Sequence, residues 1–206
     1  MNLIGFLSAA VLLTLMPGPD ILFVITQSMT RGKRAGIVFA AGLCSGLIFH
    51  TLAVSLGVSL ILYESPIAFM VLKVLGASYL IYLSVRTFLR RKDSVFVLSA
   101  DKEAESRLYR KGVLMNILNP KVLLFFIAFF PQFVSPDADN PTGELLLLGA
   151  LFILQAGVIF SLVAMLAGHL FRGLMRRRRF SLVMSVVESL IYFVIGISLM
   201  FVNNLH

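Results

Sequence analysis

Six apolar runs, at about 3–26, 37–62, 66–89, 113–134, 144–168 and 182–202, constrain this chain more than any other feature, because each reaches the length of a helix that crosses a bilayer. The hydrocarbon core is about 30 Å thick and an α-helix rises about 1.5 Å per residue, so roughly 20 apolar residues make one crossing. Six crossings consume most of the 206 residues. The fold class that follows is all-α, a polytopic membrane protein with no room for a soluble catalytic domain. Composition agrees, with 59% hydrophobic and 14% charged residues, against about half and about a quarter in soluble domains. The first run is expected to stay in the membrane, since Met1-Asn2 supplies no basic n-region and no small-x-small cleavage site precedes Pro17.

A net charge of +8 would suit nucleic acid in a soluble protein. Here, however, sixteen of the 18 basic residues fall in alternate connections. Residues 27–36 hold Arg31, Lys33 and Arg34; 86–112 hold Arg86, Arg90, Arg91, Lys92, Lys102, Arg107, Arg110 and Lys111; 171–181 hold Arg172 and Arg176 to Arg179. The remaining connections carry Glu64 in one and Asp137, Asp139 and Glu144 in the other. Positive charge marks the cytoplasmic side, which places both termini outside and disfavours nucleic acid as a partner. The single cysteine, Cys44, excludes an intrachain disulfide and any Cys-rich metal site.

The long polar stretch divides the chain into repeat 1 (1–89), a cytoplasmic loop (90–111) and repeat 2 (112–206) of one transmembrane domain (1–206). Three crossings per half put the halves in opposite orientations, as two inverted three-helix repeats. Pro17-Gly18-Pro19-Asp20 interrupts the first run and Asn119-Pro120-Lys121 interrupts the fourth, its counterpart. Proline removes a helical hydrogen bond and clashes with the preceding turn, and in hydrocarbon the freed backbone groups must face protein, water or ligand. Paired interruptions in matching helices point to the substrate site of a secondary transporter, although one proline kink alone is often only structural. Asn119 reads as an N-cap with Pro120 at the first helical position, a restarted helix whose positive end attracts carboxylate. Lys121, ten residues past Lys111, is expected near the midplane.

Asp20, Lys73, Lys121 and Glu188 are the charged residues inside runs and away from the basic loops. A charge in the bilayer interior costs at least ~2.5 kcal/mol, so these are candidate functional groups that should face one another or a wet cavity. Two arrangements fit: a direct Asp20–Lys121 ion pair, or an open site with a zwitterion's ammonium near Asp20 and its carboxylate near Lys121 and Asn119. His50 is either a proton relay or a hydrogen-bonded packing residue, and Glu188 is a second candidate for proton coupling. His169 adjoins the last basic loop. Gly42 and Gly46 suit close helix packing, within the chain or in a homo-oligomer. Arg176 to Arg179 form a cytoplasmic anchor or an anionic-lipid contact. There is no His-Glu-x-x-His, Gly-x-Ser-x-Gly or Walker signature, so an enzyme or an ATP-driven pump is not expected, nor any cofactor or resident metal.

At these motifs the chain resembles the LysE/RhtB family of bacterial amino-acid exporters, over nearly its whole length. The resemblance rests on Met16-Pro17-Gly18-Pro19-Asp20, the Arg31-Gly32 and Gly36 turn, Leu72-Lys73-Val74-Leu75-Gly76-Ala77-Ser78-Tyr79-Leu80, Asn116 with Asn119-Pro120-Lys121, and Phe130-Pro131-Gln132-Phe133. It implies export of an amino acid from the cytoplasm across the bacterial inner membrane, driven by an ion gradient through proton exchange. The family's lysine and arginine exporters carry Gln-Asn after the Gly-Pro pair. Asp20 follows it directly here, as in the threonine/homoserine-type branch, which implies a neutral substrate. Two residues depart from the pattern: Ser84 stands where glycine is usual, and Glu188 where small residues are. An ion or metal-ion channel or exchanger on the same scaffold, with Asp20 and Glu188 as ligands, is the competing class. An assembly subunit without transport is a third.

Overall fold

The structure, a computed structural model, describes residues 3–58, 66–91, 104–135, 138–170 and 178–201. Glu64, Lys92, Lys102, Asp137, Arg172, Arg176 and Arg177 lie outside the described residues, as does the end of the second run beyond 58. Eight α-helices follow one another among the described residues: α1 (Leu3–Leu15), α2 (Pro19–Arg31), α3 (Lys33–Ala53), α4 (Pro66–Leu89), α5 (Glu105–Ile117), α6 (Pro120–Leu124), α7 (Pro141–Leu170) and α8 (Arg178–Phe201). α3 ends in a π turn, Val54–Val58, and α6 passes into a π turn, Phe125–Phe129, and a 3-10 turn, Phe130–Phe133.

The first and fourth apolar runs are each two helices. α1 and α2 meet at 53°, and α5 meets the segment after Pro120 at 46°. Each bent pair is apolar and long enough to be one broken span; Lys33–Gly57, Pro141–Ala167 and Leu182–Phe201 are long enough by themselves. The sequence reading of a loop over 90–111 is corrected at its end, because residues from Glu105 are already helical. Glu105, Arg107, Arg110 and Lys111 are good helix formers, and Leu108 anchors the turn by burying all but 1% of its surface. An apolar window sees only the part of a helix that lies in hydrocarbon.

α3 is the centre of the bundle and packs on α2, α5 and α7. Its crossing with α5 is made backbone to backbone: a Cβ on Gly42 would meet the Tyr109 carbonyl, and one on Gly112 would meet the Phe39 carbonyl. The Gly42–Gly46 pair therefore serves contact within the chain. Gly32, at φ +89°, is the hinge that lets α3 start one residue after α2 ends. α4 and α8 pack on each other, and α4 meets the rest at the π turn after Pro120. Between these groups lies an aromatic core in which Phe126 stacks on Phe130 at 4.6 Å and Phe6 meets Phe130 edge-on at 5.2 Å. Leu154, Val158 and Leu162 of α7 and Leu190, Phe193 and Val194 of α8 are exposed, the faces expected to meet lipid. Arg34 and Glu105 pair at 2.8 Å on the surface, so two of the basic connections lie at one end of the bundle. Such an exposed pair marks position and adds about 1 kcal/mol at most.

Candidate functional site

An α-helical carbonyl accepts from the N–H four residues on, so each proline in a helical path leaves one carbonyl without its donor. Pro17 deprives Leu13, and Pro120 deprives Asn116. Both orphans are met by a side chain from elsewhere. Lys121 Nζ lies 3.5 Å from the Leu13 oxygen, at the long end of hydrogen bonding. His50 Nε2 lies 3.1 Å from the Asn116 oxygen, which also accepts the Asn119 N–H at 3.0 Å. Because a carbonyl only accepts, that bond places a proton on His50 Nε2. The ring is 1% exposed and sits against Phe49 and Phe126. His50 thus closes the backbone at the second break rather than lining an open cavity.

The two restarts are built differently. Gly18 precedes α2 in extended backbone, φ −161° and ψ 179°, with no side-chain cap; Pro19 is the first helical residue and Asp20 lies in the first turn, where a carboxylate suits the helix dipole. Asn119 caps α6, its Oδ1 accepting the Lys121 N–H at 3.0 Å. The start of α6, expected from the sequence to be open to a carboxylate, is occupied by this side chain. Asn119 Nδ2 donates to both Asp20 oxygens at 2.8 Å, so one amide ties the two breaks together. Lys121 Nζ completes the cluster 3.5 Å from Asp20 Oδ2. Asp20, Asn119 and Lys121 are all at least 96% buried. The direct ion pair, the first of the two arrangements open to the sequence, is the one present.

Glu188 approaches from α8. Its Oε1 accepts from Tyr192 Oη at 3.1 Å and lies 3.6 Å from where a Cβ on Gly18 would stand; Lys121 Nζ lies 3.2 Å from the same point. Lys73 is buried on α4 and does not line the cavity beside Asp20 and Lys121. That cavity has Thr14, Asp20, Asn116 and Lys121 on its polar side and Phe152 and Phe160 on its apolar side, and at about 10 Å³ it has room for one water. The site is closed in this conformation.

Thr14, Asn116 and Gln155 were not among the residues expected to form the site. Gln155 Nε2 donates to Thr14 Oγ1 at 2.9 Å, and the Gln155 and Asn116 side-chain oxygens are buried without a hydrogen-bond partner. Gln155 is a polar residue in the middle of an apolar run, a signal that formal charge does not carry. Ser84, which departs from the family pattern, pairs with Ser189 of α8: the hydroxyls are 3.2 Å apart and Ser189 Oγ donates to the Ser84 carbonyl at 2.9 Å. Among the described residues, no three His, Cys, Asp or Glu side chains gather as a metal site requires.

Comparison with known proteins adds an independent line. The family model described as LysE type translocator matches residues 11–202. A homoserine/homoserine lactone efflux protein of Salmonella typhimurium is 31% identical over 163 residues, covering 79% of each chain. The membrane protein YrhP of Bacillus subtilis is 32% identical over 170 residues, 77% of this chain and 80% of its own. No solved structure matches significantly.

Proposed function

We propose, from the premise that this chain belongs to the LysE type translocator family, that it is a secondary transporter, not an enzyme, exporting a neutral amino acid of the homoserine or threonine kind. One observation carries the reading: two spans break at prolines, and Asp20, Asn119 and Lys121 meet between the breaks, buried and closed. Membrane proteins bury such groups where a substrate path runs. The homoserine/homoserine lactone efflux relative supports the substrate class. We further infer six crossings in two inverted repeats, α4 being the third, in the bacterial inner membrane with both termini outside.

Pro17, Gly18 and Pro19 hold the first break, Pro120 and Asn119 the second, and Lys121 offers the cation for a substrate carboxylate. Lys73, buried on α4 outside the closed cavity, is assigned to the substrate path once the site opens. Coupling to protons assigns the titrating step to His50 or Glu188. Labelled amino acids in everted vesicles test the function: uptake accelerated by a pH gradient is expected, and indifference to the gradient removes proton coupling. Replacing His50 by Gln should abolish that acceleration while exchange between the two sides continues; the same outcome at Glu188 would make that residue the proton site. Loss of both at His50 assigns that residue to structure. Orientation is checked by thiol labelling in intact cells. A thiol at Ser94 labelled from outside, with one at Asp139 protected, inverts the topology.

A further inference from the structure

We propose that Glu188, steadied by Tyr192, is the receptor for the substrate's ammonium, so that the transporter selects by the amine and tolerates loss of the carboxylate, as in amino-acid lactones, esters and amides. This rests on the exporter reading and assigns a chemical class to its site.

Asp20, the ammonium partner expected from the sequence, is already engaged by two bonds from Asn119 and by Lys121. Glu188 is not. Among the described residues its one hydrogen bond is from Tyr192, and an ionised carboxylate accepts up to about four. It stands half-buried in Leu182–Phe201, long and apolar enough to span the membrane, where a carboxylate needs a cation. Asp20 and Lys121 pair with each other, whereas among the described residues Glu188 forms no ion pair. The gap is specific in place: Glu188 Oε1 and Lys121 Nζ both come within 4 Å of the position a Gly18 side chain would occupy, and they make no direct pair. A primary ammonium, with three N–H donors, complements this corner. A substrate carboxylate, by contrast, must draw Lys121 away from Asp20 and the Leu13 carbonyl. The amine is therefore required and the carboxylate optional.

The test uses the full-length protein in liposomes with three probes in counterflow: homoserine, homoserine lactone (amine only) and N-acetylhomoserine (carboxylate only). The wild type is expected to carry the first two at least tenfold faster than the third. Glu188→Gln should cut both at least tenfold, Glu188→Asp should restore part of the loss, and Tyr192→Phe should weaken both about threefold. Gly18→Ala adds a methyl in the gap on backbone angles that suit any residue, and should slow lactone transport with an unchanged melting temperature. If Glu188→Gln fails to fold, Gly18→Ala and Tyr192→Phe decide. The proposal is overturned by wild-type transport of N-acetylhomoserine at the homoserine rate. It is equally overturned by a Glu188→Gln protein that keeps the amine preference and loses only its response to a pH gradient, which makes Glu188 a proton site. If the wild type carries none of the probes, the exporter reading fails instead. Lactone-induced thermal stabilisation, present in the wild type and absent in Glu188→Gln, then still judges the ammonium assignment.

Discussion

At the first break the chain passes from α1 to α2 through Met16, Pro17 and Gly18 with no side chain to cap the new helix; at the second it passes from α5 to α6 through Leu118 and Asn119, and Asn119 caps it. The first break is also served from outside: its orphaned Leu13 carbonyl is approached by Lys121, which belongs to the second break. The second closes its own ends with Asn119 and borrows only His50. One break is thus dependent and the other largely self-sufficient. A single glycine between two prolines has no side chain to fill its turn, and Lys121 and Glu188 converge there, whereas an asparagine fills its own turn. The difference teaches that a break becomes a site when its polar needs are met by residues that a substrate is able to displace.

The largest effect should come from cutting the link between the breaks. Asp20→Asn or Lys121→Met alone leaves an uncompensated buried charge and should cost about 3–5 kcal/mol of stability, while the double change should recover most of it. Melting of the detergent-purified proteins measures this; additive losses would show that the two groups do not depend on each other. Next comes the amide that serves both breaks. Asn119→Ala loses the cap and both bonds to Asp20, about 2–3 kcal/mol. Asn140→Ala removes a cap of the same Asn-Pro design at α7, where Oδ1 accepts only the Gly143 N–H, and should cost about 1 kcal/mol. Equal losses at the two sites would deny Asn119 its bridging part.

A smaller effect tests how far the second break relies on its neighbour. His50→Leu leaves the Asn116 carbonyl with only the Asn119 N–H and should cost about 1 kcal/mol, whereas His50→Gln, still a donor, should cost less. In a Pro120→Ala background the chain regains an N–H four residues after Asn116, and the penalty of His50→Leu should shrink. An unchanged penalty would mean that His50 acts through packing on Phe126. The smallest effect is expected at Ser84→Gly, under about 1 kcal/mol, because Ser189 still donates to the backbone carbonyl of residue 84.

The parts legible in the sequence are those decided within a few residues. Proline acts on its own turn, so both breaks were visible at Pro17 and Pro120, and α4 follows the apolar run 66–89 end to end. The cap at Asn119 is likewise local. The extension of α5 back to Glu105 was hidden because it leaves the apolar zone. The convergence of Glu188 on Gly18 depends on how α8 is rotated against α4, and contacts more than a hundred residues apart decide that. The bond from His50 to Asn116 is of the same kind. Charge alone could not choose between an Asp20–Lys121 pair and a parted site, because both arrangements balance.

The backbone contact at Gly42 and Gly112 has a mechanical consequence. Where two helices touch through side chains, rotamer changes let one slide on the other. Where they touch main chain to main chain there is no compliant layer, and any slip forces them apart. α3 and α5 therefore behave as a single stiff beam. α4 and α8 pack on each other and meet the rest chiefly at the Phe125–Phe129 turn, so they form the other jaw. Gly18 and Lys121 ride with the beam's side and Glu188 with the jaw, so whatever is gripped between them is sensed by both moving parts at once.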